Sequence, residues 1–474
     1  MPMRHLFIDD GELTRVERLY RRVHQPRRHP ENPVLDGDTP WETHVSVYGT
    51  TLYDSERGLF RRWYLTSPGS NEERVSVGPA GGRALSIPGN VTLLGYATST
   101  DGVHWEKPDL GQMAIAGDSH NNILHIGRLN CEGASIIEDP DDPDPDKRFK
   151  AFYWEHGGDG TLTKLPGGRV LFGVGDGDGM WISHSPDGVR WTNYATNPAI
   201  ALGSDTDQTV LRDPALHRYV AFGRFNAGGR KMARAESDDF VHWSEPELVF
   251  ECDEGDEEET QFYGVPIDLY EGLYLGMPWI YREGVDGTID TQLAVSRDGI
   301  RWQRVGARET FLSLGAPGGP EDGMCRVGKR FIVRGDEIYL FYGAVQGPHG
   351  GRKFSGGGSR ATGLCLALLR RDGFVSMSGD GDGGWLLTRP VAVDEGRGEG
   401  ALHLNLDARG RAVVTVCDDD GVPIEGFEAS RPVSGDHTDV TVTWPGRQIG
   451  ALAGQRARLR IDLNDADLFS FWFE

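Results

Sequence analysis

The sequence has no apolar run near the roughly 18 residues that a membrane-spanning helix needs. Its opening, MPMRHLFIDDGELTR, lacks the apolar stretch of a secretion signal. A soluble, cytoplasmic protein is the expectation. Cysteine is scarce: Cys131, Cys252, Cys325, Cys365 and Cys417 are scattered, odd in number and never spaced as CxxC. That excludes a disulfide framework and a structural zinc site. Positive charge is short, with 49 Lys and Arg against 72 Asp and Glu and a formal net charge of −23. Such a surface repels phosphate backbones and anionic lipid, so neither nucleic acid nor membrane is an expected partner. No GxSxG elbow occurs, and the glycine-rich GVGDGDGMW and SGDGDGGW open no helical pattern, so phosphate-loop readings fail on context. The acidic run CDEGDEEE lacks the ordered spacing of a calcium loop and reads as a solvated loop. No cofactor and no metal site is implied.

What the chain does have is turns and aromatics. It holds 66 Gly, 12 Trp, 14 Tyr and 19 Phe in 474 residues. The glycines sit in pairs such as Asp-Gly, which mark short turns between strands. One phrase recurs: STDGVHWEKP from Ser99, SPDGVRWTNY from Ser185, SDDFVHWSEP from Ser237 and SRDGIRWQRV from Ser296. RRDGFVSM from Arg370 is a degenerate fifth copy. Each follows a strand-like run, and Asp-Gly supplies the positive φ of a two-residue hairpin, with the Trp packing back on it. A further hairpin pattern precedes each copy, as in GTTLYDSERGLFRRWYL and QTVLRDPALHRYVAFGR. Five units of about four strands predict an all-β, five-bladed propeller over residues 1–384. HLFIDD near the start is a candidate strand to close the ring on the last blade.

The tail alternates strictly in ALHLNLDARGRAVVTV, TDVTVTW and RARLRIDLNDADLFSFWFE. Short alternating strands with close turns predict an antiparallel β-sandwich over residues 385–474.

A propeller followed by a sandwich, ending in ARLRIDLNDADLFSFWFE, resembles glycoside hydrolase family 32. More loosely it resembles families 43, 68 and 130. The family 32 signature Trp-Met-Asn-Asp-Pro-Asn-Gly is absent, and NPVLDGDTPWETHVSVYGTTLYD stands in its place. The resemblance implies a glycoside hydrolase acting on a furanoside or similar small sugar. It also leaves a phosphorylase, a transglycosylase, a biosynthetic enzyme on the same scaffold, or a non-catalytic carbohydrate-binding protein. Oligomeric state is not readable.

In a propeller the entry of each innermost strand faces the axial funnel. Arg212-Asp213-Pro214 copies the letters of a catalytic motif of the invertase-like enzymes, but it falls at a hairpin tip, where Asp-Pro is turn chemistry. Asp207 holds the entry position. The same rule picks Glu42, Glu132, Glu258 or Glu259, and Asp322, an acidic ring. By the resemblance, Glu42, Glu132 and Asp207 carry the catalytic roles, with Asp36 and Asp38 competing for the first. Glycoside cleavage needs one carboxyl to protonate the leaving oxygen and another to attack or to activate water. Trp41 and Phe262-Tyr263 are candidates to stack on a sugar face, and His349 lies in a Gly-rich loop that could reach the funnel. Arg224 either binds a hydroxyl or carboxylate or pairs with a neighbouring acid. Glu251, in FECD, echoes a family 32 Glu-Cys motif but ends an apolar run ahead of the fourth-blade entry.

Overall fold

The structure is a computed structural model. It describes residues 3–474 except 71, 129, 157–161, 165–169, 173–176, 226–228, 351–358 and 394–399. It is all-β. Among the described residues the only helical turns are short 3₁₀ pieces at Asp10–Glu12, Pro145–Lys147 and Ile449–Leu452, and no helix is long and apolar enough to cross a membrane.

Four antiparallel sheets follow one another, each adding its strands in chain order. The first holds Gly49–Asp54, Leu59–Thr66, Leu93–Ser99 and Ile123–Leu124. The second holds Glu132–Glu138, Phe149–Glu155, Gly179–Ser185 and Thr192–Asn193. The third holds Thr209–Asp213, Arg218–Gly223, Met232–Ser237 and Glu247–Phe250. The fourth holds Ile267–Tyr270, Leu273–Gly276, Ala294–Ser296 and Gln303–Arg304. A fifth is built on Glu337–Gln346 and Arg360–Arg370, with Met324–Val327 and Ile332–Arg334 as an interrupted first strand.

Apolar wedges fill the space between neighbours. Trp63 and Tyr96 meet Ile136 and Phe149. Ile137 and Phe152 meet Val210 and Ala221, and Val220 and Phe222 meet Ile267 and Tyr274. Leu275 and Val295 meet Leu340 and Ala367. Phe60 and Tyr64 meet Phe341 and Leu364, so the fifth sheet returns to the first and the sheets form a ring.

The first strands line its middle and are stitched side to side. Thr50 Oγ1 donates to Ala134 O at 3.2 Å and accepts from Ile136 N at 2.9 Å. Val210 N donates to Ser135 Oγ at 2.9 Å, and Ile267 N to Thr209 Oγ1 at 3.3 Å.

The repeated phrase closes a tight turn at the end of each third strand. Ser99 Oγ accepts from Gly102 N at 2.8 Å, Asp101 Oδ1 accepts from Val103 N and His104 N at 2.8 Å each, and Trp105 Nε1 donates to Gly102 O at 3.1 Å. Gly102, Gly188 and Gly299 supply φ values of 83°, 74° and 69°, as Asp-Gly predicts. In the third copy Phe240 takes φ 67° instead, held by complete burial against Tyr219 and Trp243. Asp213 is a turn residue: its Oδ1 accepts from Ala215 N at 2.7 Å and Leu216 N at 2.9 Å.

Three features differ from the sequence reading. Arg27–Arg28 adds the last strand of the fifth sheet, pairing with Leu368 and Ala367. His5–Leu6, the expected closing strand, instead pairs with Phe471 and Ser470; Phe7 enters the core of the tail, while Leu6 and Ile8 pack against the fourth and fifth sheets. Second, the tail forms one hydrogen-bonded sheet around Arg456–Phe473 and Leu402–Cys417. That sheet also takes in Leu13–Glu17, Tyr20–Val23 and Val375–Gly379, so it crosses the division at residue 385. Its inward residues, among them Leu404, Val414, Ile461 and Phe471, make a separate core. Third, a small sheet of Arg74–Pro79, Leu85–Pro88 and Met113–Ile115 interrupts the first unit, and Trp279–Arg282 pairs with Thr260–Phe262 beside the fourth.

Candidate active site

The residues leading into the first strands gather at one mouth of the ring. Two local devices hold them there. A β-bulge between Glu132 and Ser135 puts Gly133 at φ 62°, and a Cβ at that position would collide with Thr206 O and Gln208. Only glycine lets the Glu132 entry lie against Ser204–Gln208. Thr206 Oγ1 then donates to Tyr263 O at 3.0 Å, which fastens the third entry to the fourth.

Two carboxylates result. Asp205 retains 39% side-chain exposure and faces Arg224, whose Nη1 lies 3.8 Å from its Oδ2. Burial and then the charge of Glu132 push the Asp205 carboxyl up to about 6, against the pull of Arg224 and Arg230. Glu132 receives His156 Nε2 at 3.2 Å on Oε2. Burial opposes the charged imidazole, yet the hydrogen bond and charge of Glu132 raise the His156 pKa. The two acids therefore sit in different environments: Glu132 is hydrogen-bonded to His156, and Asp205 holds its proton longer than a free carboxyl.

An aromatic wall stands beside them. Trp279 stacks with Tyr48 at 5.7 Å and with Tyr263 at 6.4 Å. His349 meets Tyr263 edge-on at 4.8 Å and Tyr281 at 5.1 Å. Burial, then Arg230 and Arg326, lower the His349 pKa to about 4, so its ring is neutral at pH 7. The guanidinium carbons of Arg224, Arg230 and Arg326 lie 5.5, 5.6 and 5.9 Å from the Tyr263 ring centre.

Of the residues singled out from sequence, Glu132, Arg224, Tyr263 and His349 come together here. Asp207 lies beneath. It and Lys329 are fully buried and paired, with Gly49 N donating to Asp207 Oδ1 at 3.3 Å. Burial raises the Asp207 pKa against Lys329 and Arg62, and lowers that of Lys329 to about 8. Glu42 is buried and engaged on both oxygens, by Tyr64 OH, by Lys107 Nζ at 2.6 Å and by Thr39 Oγ1 at 3.1 Å. Asp38 shares that lysine at 2.6 Å with its side chain 77% exposed. Trp41 donates to Asn122 Oδ1 at 2.8 Å on the same side. Asp322 accepts from Gly318 N and Gly347 N at 2.8 Å each and so shapes a loop. Glu258 and Glu259 are exposed. The mouth is thus a mixed site with clustered arginines rather than an acidic ring.

Sequence reasoning missed Asp205, His156, Tyr48, Arg230 and Arg326. Asp205 carries the same signal as Asp207, being an acid at the same strand entry. The arginines carry none, since strand-end arginines are common. Among the described residues no group of three His, Cys, Asp or Glu side chains is placed to hold a metal ion.

No family model matches this chain. No curated protein matches it either. Solved structures do. A β-1,2-mannobiose phosphorylase from Listeria innocua, in complex with β-1,2-mannobiose, is 12% identical over 73% of this chain and 96% of its own, with a TM-score of 0.47. An N-acetylgalactosamine deacetylase from F. plautii, in complex with blood group B trisaccharide, is 15% identical over 75% and 96%, with a TM-score of 0.45. A family 43 arabinoxylan arabinofuranohydrolase from Bacillus subtilis, in complex with cellotetraose, is 12% identical over 95% and 99%, with a TM-score of 0.40.

Proposed function

We propose that the ring is a five-bladed β-propeller with an appended C-terminal β unit, and that its mouth cleaves a glycosidic bond in a small sugar of the furanoside type. The observation that carries this reading is the pair Glu132 and Asp205. Cleavage by two carboxyls requires their proton affinities to be set apart, so that one donates while the other is ionised. Asp205, raised to about 6 by burial and by Glu132, is the proton donor to the leaving oxygen. Glu132, hydrogen-bonded to His156, is the carboxylate that attacks the anomeric carbon or activates water. Tyr263, half-buried and backed by the buried Trp279 and Tyr48, offers a flat face on which a sugar ring stacks, with a polar edge left for hydroxyls. Asp207 and Glu42 support the scaffold in this reading, because Asp207 is sealed beneath the mouth with its Oδ1 on Lys329, and both Glu42 oxygens are taken up by Tyr64 and Lys107.

The test is turnover of a panel of aryl furanosides by wild type, Asp205→Asn and Glu132→Gln. Wild type releases the aryl group from at least one member. Each variant loses about 100-fold or more, the range typical for removing a positioned acid or base. Wild-type turnover in both variants would contradict the assignment.

A further inference from the structure

The overall charge is −23, yet the mouth concentrates cations. Arg224, Arg230 and Arg326 converge on Tyr263, and each has a buried Nε without a hydrogen-bond partner among the described residues. Their counter-charges are weak. Arg224 has Asp205 at 3.8 Å, a loose contact, and its Nη2 donates to Tyr263 O. Arg230 has Glu283 at 3.5 Å and donates to Gln261 Oε1 at 2.6 Å. Arg326 makes no hydrogen bond or ion pair among the described residues; its guanidinium lies 5.7 Å from the Tyr48 ring centre and 5.5 Å from that of Trp279. Stacking on rings satisfies the face of a guanidinium and leaves its N–H edge free. Unsatisfied donors in a half-buried recess are expensive unless something accepts from them. The other titratable groups facing the recess are His349 and His44, both driven toward the neutral form by burial and then by these arginines, together with Asp36 and Glu132.

We infer that this recess binds an oxyanion beside the sugar ring, held by the N–H edges of Arg326 and Arg230. The inference builds on the reading of the mouth as a glycoside site and names what its ligand carries. Two sources supply such a group: the carboxylate of a sugar acid, or a free inorganic phosphate that enters with a neutral sugar. Guanidinium forks fit both. The aromatic wall lies within reach of the same arginines, so ring and anion share one recess.

Calorimetric titration of the full chain tests this. Ligands are glucuronate, galacturonate, their neutral parent sugars, and inorganic phosphate. Binding of a sugar acid but not its neutral parent supports the inference and assigns the anion to the substrate. Binding of phosphate supports it and assigns the anion to a separate ligand. Arg326→Gln and Arg230→Gln should each weaken the bound anion roughly tenfold or more, the loss expected for one charge-assisted hydrogen bond. Arg326→Lys should recover part of that loss, which separates charge from folding, and melting temperatures confirm that each variant is folded. Binding of no anion, or unchanged affinity in both glutamine variants, would overturn the inference. Titration needs no turnover, so anion binding by an enzyme inert on every glycoside would remove the catalytic reading and leave this one standing.

Discussion

Asp205 and Asp207 are two residues apart and do opposite work. Asp205 sits at the mouth, where Arg224, Glu132 and solvent all reach it. Asp207 is sealed beneath with Lys329, each side chain at 0% exposure. Removing one member of a buried pair leaves the other charge uncompensated, at about 3–5 kcal/mol. Asp207→Ala should therefore lower the melting temperature sharply, and the double variant Asp207→Leu/Lys329→Met should recover much of the loss. Thermal unfolding of the three proteins checks this. An Asp207→Ala protein as stable as wild type would show that the pair does not hold the ring centre together. The sequence could not separate the two acids. A spacing of two in an extended segment gives them the same side, and depth below the mouth leaves no mark on the pattern.

At the scale of elements, the hairpins were legible because local chemistry determines them. Each Ser-x-Asp phrase has the same side-chain-to-backbone hydrogen bonds, seen at Asp101, Asp187, Asp239 and Asp298. The bulge at Gly133 was not legible. Nothing within its own strand requires glycine; the requirement comes from Thr206 and Gln208, more than 70 residues away in sequence. Gly133→Ala adds a Cβ to a backbone at φ 62° and drives it into that segment. The expected loss is about 1–3 kcal/mol of stability, with kcat falling as well because Glu132 moves off Asp205. Unfolding by denaturant and turnover, measured on one preparation, test both halves. Loss of stability with unchanged kcat would show that the bulge does not position Glu132.

At the scale of the whole molecule, the chain's beginning and its tail are interlocked. Arg27–Arg28 completes the fifth sheet, with Arg28 Nε bonded to Glu321 Oε2 at 2.5 Å. The strands before it lie in the tail sheet, and Arg4 pairs with the buried Asp372 at 2.8 Å. Alternation alone marked the tail as a β unit, but pairing partners so distant in sequence have no local signal. A fragment of residues 385–474 therefore lacks Leu13–Glu17, Tyr20–Val23 and Val375–Gly379, and exposes the apolar faces they cover. It should not fold alone, as seen by poor amide dispersion in its NMR spectrum. Adding a peptide of residues 1–28 should not suffice to restore it. A dispersed, cooperatively melting spectrum from the fragment would contradict this interlocked arrangement.

The central claim is that the mouth works through Glu132 and Asp205. Its most direct test is the pH dependence of kcat/KM on the best aryl glycoside, for wild type and Asp205→Asn. A donor whose folded pKa is raised to about 6 is protonated below that pH and loses its proton above it. Wild-type kcat/KM should therefore fall as pH rises through about 6, and the variant should be at least about 100-fold slower with that limb gone. An alkaline limb near pH 6 that persists in Asp205→Asn, at wild-type rate, would contradict the account.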